Sequence, residues 1–88
     1  MLNSVILTVR VERTDLEYDM EFPADVPGGQ LCEKLLAALR NIENDTFRAV
    51  EKIHLTIERT GTPLDDDQTL EQAGVWDGGI VTVVKGGW

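Results

Sequence analysis

An α+β domain with its elements in the order strand–strand–helix–strand–strand is predicted by three patterns. Apolar residues alternate at period two over residues 5–11 and again over 18–22. They recur at three- and four-residue spacing over 31–42, then return to period two over 53–57 and 80–84. Period two marks a strand with one buried face, and a period near 3.6 marks an amphipathic helix. With 88 residues there is chain for one domain and not for two, so residues 1–88 are read as one unit.

The first strand sets Val5, Leu7, Val9 and Val11 on one face and Ile6, Thr8 and Arg10 on the other. Arg13, Thr14, Asp15 and Leu16 supply a turn. In the second strand Tyr18, Met20 and Phe22 alternate with Glu17, Asp19 and Glu21. A face holding three acids belongs in water, so the sheet is expected to be covered on one side only. Pro23 ends this strand, and Pro27 suits a first helical position because its fixed φ fits there. Leu31, Leu35, Ala38, Leu39 and Ile42 then form the inward stripe of a helix of about four turns, laid across the hairpin. Gly28 and Gly29 each cost about 1 kcal/mol in a helix, so its first turn is expected to be loose.

Asn44, Asp45 and Thr46 read as a loop, with Phe47 and Val50 pinning a short turn of helix to the core. Ile53, Leu55 and Ile57 define a third strand whose other face carries His54, Thr56 and Glu58. Residues 60–63 read as a turn. Thr69 stands three residues before Gln72 in a capping-box arrangement, and Gly74 sits where a terminating glycine would close a short helix. Asp77, Gly78 and Gly79 make a tight turn. The last strand points Val81 and Val83 inward, Thr82 and Val84 outward.

Sixteen acids against eight bases give a net charge of −8. Such a surface repels phosphate backbones and anionic membranes, so no nucleic-acid partner is expected and basic protein partners are favoured. The longest apolar run, residues 4–9, is far below the roughly 20 residues of a membrane span and lacks a basic leader. No direct membrane insertion is expected, and the chain is placed in the cytoplasm. One cysteine, Cys32, has no thiol or histidine at metal-ligand spacing and reads as a partly buried small hydrophobe. Asp65, Asp66 and Asp67 lack the alternating oxygen ligands of a calcium loop. No nucleophile–base pair or phosphate-binding glycine loop occurs, so no catalytic residue, cofactor, metal or small-molecule substrate is assigned.

Residues 61–84 carry a turn glycine, Pro63-Leu64, acids, Thr69-Leu70, Gly74-Val75, Asp77-Gly78 and an apolar strand. This succession resembles the C-terminal half of ubiquitin. With the preceding hairpin and helix in order, the resemblance covers essentially the whole chain and implies the β-grasp: a mixed sheet of four to five strands, the first and last parallel at its centre, with one helix across it. The segments 20–27, 63–67 and 70–78 are similar to the YukD/EsaB family of bacterial ubiquitin-like proteins. That family comprises small cytosolic components of type VII secretion systems in Gram-positive bacteria; a related domain forms the soluble N-terminal part of a membrane component of actinobacterial systems. The resemblance implies a non-enzymatic accessory or regulatory role, exerted through contacts with secretion-machinery proteins.

The segment Lys85-Gly86-Gly87-Trp88 invites an alternative, a covalent modifier or sulfur carrier activated at a terminal diglycine. Trp88 caps the pair, and on the gapless match the glycines fall three residues before ubiquitin's own, almost flush with the last strand. That use would require removal of Trp88. A third option, a soluble domain cut from a larger membrane protein, is disfavoured by Met1 and the end at Trp88. The candidate interaction surface is therefore the open sheet face, with Ile6, Thr8, His54, Thr56, Glu58 and Val84, together with Trp76. Glu58 takes the centre of ubiquitin's apolar patch, so ubiquitin-type receptors are not expected to bind. His54 is expected to be solvated. Trp76, beside the core residue Val75, is expected to point outward, either covering a core edge or anchoring a partner.

Overall fold

The computed structural model describes residues 4–86. Its elements are β1 (Ser4–Val11), β2 (Glu17–Pro23), α1 (Gly28–Ile42), α2 (Asn44–Phe47), β3 (Ile53–Ile57), β4 (Thr62–Pro63) and β5 (Ile80–Lys85). The strands lie in the order β2-β1-β5-β3-β4. β1 and β5 run parallel at the centre, with Val9 beside Val81, and every other neighbouring pair is antiparallel. This is the expected β-grasp. The two-residue β4 falls inside the stretch read as a turn.

One face of the sheet forms the core. Val5, Leu7, Val9, Val11, Leu55, Ile57, Val81 and Val83 are buried against Leu31, Leu35 and Leu39 of α1. β-branched residues at alternate positions both favour the extended backbone and fill this face. At the β1–β2 connection Arg13 takes a φ of 62°. Thr14 clamps that turn, its hydroxyl donating to the Val11 carbonyl and accepting from the Leu16 amide.

Four local expectations are corrected. Ile42 keeps the period of Leu35 but stands in the last turn of α1 and is 51% exposed, while Leu36 is buried because the Cys32–Leu36 flank turns toward β3. Pro27 is the N-cap, extended at ψ 145°, and the helix begins at Gly28. The first turn is not loose: the Gly28 amide donates to Gln68 O at 2.8 Å and the Gly29 amide to Asp66 O at 2.9 Å. These carbonyls satisfy amides that a helix start leaves without intrahelical partners. Finally, Asn44, Asp45 and Thr46 are not a loop: they belong to the single-turn helix α2, which buries Phe47 completely, as expected of a short turn pinned to the core there.

The short helix expected after Thr69 is one doubly capped turn. Gln72 N–H donates to Thr69 Oγ1 at 3.1 Å, and Thr69 N–H donates to Gln72 Oε1 at 3.0 Å. At the other end Val75 N–H reaches Leu70 O, Gly74 N–H reaches Glu71 O, and Gly74 has a φ of 72°. That is the Schellman closure predicted from the glycine. Start and stop signals lie so close that no helix fits between them.

Candidate protein-interaction surface

Alternation along β1, β5 and β3 turns every second side chain away from the helix. On that open face Thr8 lies beside Ile80, Arg10 beside Thr82, and Thr56 and His54 beside Thr82 and Val84. Toward β2 the face is acidic, with Asp19 beside Thr8 and Glu21 beside Ile6. Each β2 acid is held by β1: Ser4 Oγ donates to Glu21 at 2.6 Å, Thr8 Oγ1 to Asp19 at 2.9 Å, and Arg10 Nε to Glu17 at 2.9 Å. Arg10 also reaches Glu58 at 3.2 Å. Arg10 and Ile80 thus complete the face, as the same alternation that turned Thr8 and Thr82 outward could have indicated.

The two ends of the face differ. At one end the Ile6 amide donates to Asp77 Oδ1 at 2.8 Å, and the Gly78 amide donates to the Ile6 carbonyl at 2.9 Å. The turn after Trp76 is therefore stitched to β1 at Ile6. Ile6 is 54% exposed and Trp76 is 59% exposed. Trp76 points outward as expected. The Arg59 guanidinium lies 5.5 Å from its ring centroid while donating to the Gly74 carbonyl. A shallow hollow beside the indole is lined by Glu58, Arg59, Asp77, Gly78 and the half-buried Ile80. Two exposed apolar side chains, an aromatic–cation pair and a carboxylate rim share one end of the sheet.

At the opposite end His54 departs from expectation. It is 6% exposed, not solvated. Alternation set it on the open face, yet the residue is buried beside a hollow lined by Lys52, Pro63, Leu64, Asp65 and Asp66. Burial, reinforced by the Lys52 charge, holds the imidazole below its ordinary value, with Asp66 and the Gly86 backbone acting in the other sense. Thr56 and Val84 are half-buried, whereas Glu58 is exposed. Of the seven candidates, the structure brings Ile6, Thr8, Glu58 and Trp76 to the accessible end and withdraws His54.

Cys32 is half-buried between α1 and the start of β3, and its thiol is pushed up to about 11, by burial first and Asp66 second. Among the described residues no group of three or more His, Cys, Asp or Glu side chains could hold a metal ion, and no helix is long and apolar enough to cross a membrane. Gly86 follows β5 directly, its amide donating to the Lys52 carbonyl at 2.8 Å. Gly87 and Trp88, on which the modifier alternative turns, lie outside the described residues.

Among solved structures, the ubiquitin-like domain of the Mycobacterium tuberculosis type VII secretion system protein ECCD1 is similar at 29% identity, covering 94% of this chain and 99% of that one, with a TM-score of 0.72. A chain of an ESX-5 inner membrane complex is similar at 18% identity over 99% of this chain and 22% of its own length, TM-score 0.78. Ubiquitin from Caldiarchaeum subterraneum shares the fold at 21% identity, covering 97% of this chain and 96% of that one, TM-score 0.67. Among curated protein sequences none matches. The family described as "WXG100 protein secretion system (Wss), protein YukD" matches residues 5–83, which spans both halves of the sheet and the helix between them. The chain belongs to the YukD family, with a ubiquitin-like β-grasp fold.

Proposed function

We propose that this domain is a non-enzymatic interaction module of a type VII secretion system, acting in the cytoplasm to assemble or regulate the membrane-bound machine. The observation that carries this reading is the placing of Ile6 and Trp76, both more than half exposed, at one end of a sheet face whose other apolar residues, Ile80 and Val84, are half-buried. Large exposed apolar side chains ringed by polar groups mark protein-binding sites, and tryptophan is prominent among the residues that dominate their energetics. Kinship with secretion-system domains, and the likeness to a chain of an ESX-5 inner membrane complex, support a partner within that machinery. With Asp77 and Glu58 at the rim, a partner pairing an apolar anchor with basic residues fits best.

Deletion of the coding region, followed by complementation, tests the reading. Secretion of small helical-hairpin substrates is expected to fall on deletion and to return with the wild-type gene. Ile6→Asp and Trp76→Ala proteins, present at wild-type levels, are expected not to restore it. Unchanged secretion in the deletion strain would refute the proposal, and full rescue by both variants would remove this end of the sheet as the contact.

A further inference from the structure

We infer that the outer edge of β2 accepts an extended segment of a partner protein, basic at alternate positions, as an added strand. β2 is the outermost strand on its side of the described sheet. The Val11 amide donates to Leu16 O at 3.1 Å, which sets the phase of the ladder. In an antiparallel pair every second residue turns both its N–H and its C=O toward its partner. Tyr18, Met20 and Phe22 therefore bond to β1, and the backbones of Glu17, Asp19 and Glu21 turn outward. The phase is checked on β1, where Ile6, in register with Glu21, gives its N–H and C=O to Asp77 and Gly78 on the opposite side.

The side chains along this edge make it selective. On the open face it displays the carboxylates of Glu17, Asp19 and Glu21, all exposed. On the helix side Tyr18 and Met20 remain half-buried. The Cys32–Leu36 flank of α1 leans toward β3, and the last turn of α1 carries the exposed Ile42. The Tyr18 hydroxyl donates to Glu43, next in sequence to Ile42, which sets this helix end beside the strand. An incoming strand would meet carboxylates on one face and Tyr18, Met20 and Ile42 on the other.

Charge decides the occupant. A second copy pairing antiparallel at this edge would set Asp19 against Asp19 and Glu17 against Glu21, and like charges directly opposite are destabilising. A segment with Lys or Arg at alternate positions and apolar residues between them satisfies both faces while completing the ladder. The same acids that guard the edge against self-association thereby select a basic partner. This edge adjoins the Ile6–Trp76 end at Glu21, which stands beside Ile6, but it binds through the outward backbone of β2 and not through those two side chains.

The test titrates the isotopically labelled domain with a synthetic peptide of about seven residues alternating valine and lysine, matching β2 in length. The expected result is at least about tenfold slower amide exchange at Glu17, Asp19 and Glu21, with shift changes confined to β2 and the Ile42 end of α1. A valine–glutamate peptide and a block-ordered peptide of the same valine–lysine composition should give neither. Asp19→Pro, which removes one outward N–H while leaving the β1 ladder intact, should abolish the protection. Glu17→Lys combined with Glu21→Lys should transfer binding to the valine–glutamate peptide. Equal binding of the block-ordered peptide, shifts centred on Ile6 and Trp76, no protection at β2, or self-association through β2 without peptide would each overturn the proposal.

Discussion

Gly28 packs its bare Cα against the main chain of Asp65: a Cβ added there would lie 2.3 Å from the Asp65 carbonyl oxygen. A neighbouring backbone atom cannot move aside as the end of a flexible side chain can. Gly→Ala inside a helix ordinarily gains about 1 kcal/mol. At Gly28 the sign should reverse, with Gly28→Ala losing about 2 kcal/mol or more through overpacking. At Gly29 the corresponding Cβ would meet Asp66 at 3.4 Å, an ordinary contact, so Gly29→Ala should be close to neutral or stabilising. Urea unfolding of the two variants separates this from a loose helix start, for which both substitutions would stabilise.

The reciprocal bonds between Thr69 and Gln72 predict a second outcome. They hold the turn that buries Leu70 completely and leads into the core residue Val75. Thr69→Ala should cost about 1 kcal/mol. Gln72→Ala leaves the Thr69 side-chain bond in place and should cost less. Chemical denaturation of the two single variants and the double variant gives their coupling, and strict additivity would contradict the reciprocal arrangement.

His54 makes stability depend on pH in a definite direction. In the unfolded chain the ring titrates near its ordinary value of 6.5, and in the fold, burial and Lys52 lower it. The unfolded state therefore takes up a proton that the folded state does not, so stability falls as pH drops through about 6.5 and levels off below the folded value. It is the chain's single histidine, so its contribution stands clear of the carboxylates above about pH 5. Thermal melts from about pH 7.5 to about pH 5.5 should show a decline that His54→Gln flattens; identical slopes for the two proteins would contradict the burial argument.

His54 also marks where reading the sequence stops. Period two assigns Val5, Leu7, Val9 and Val11 to the core and sets His54, Thr56 and Glu58 on the opposite face, because alternation is a property of the strand itself. Whether that opposite face is covered depends on where later segments cross it, and the 63–66 segment comes to lie beside the buried His54 without leaving any periodic trace. The firm helix start at Gly28 and Gly29 leaves no sequence trace for the same reason: helix propensity is local, while the carbonyls of Asp66 and Gln68 come from a distant loop. Ile42 has the period of the inward stripe but ends α1, and Leu36 is buried because β3 lies against its flank; neither fact is contained in a single-helix pattern. Trp76 was legible, since its neighbour Val75 belongs to the core and successive side chains on an extended stretch point opposite ways.

The exposure of Trp76 separates its two readings. A tryptophan covering a core edge contributes to folding, whereas one serving as an anchor for a partner contributes little until bound. At 59% exposure, with Arg59 stacked over the ring, Trp76 retains a cation–π contact of about 0.5 kcal/mol and modest apolar burial. Trp76→Ala should therefore change unfolding stability by less than about 1 kcal/mol. Its neighbour provides the contrast: Val75 is buried, and Val75→Ala should cost about 2 kcal/mol. Urea unfolding of both variants checks the difference. A loss at Trp76 equal to that at Val75 would make the indole part of the core edge and leave Ile6 without its partner in the proposed contact.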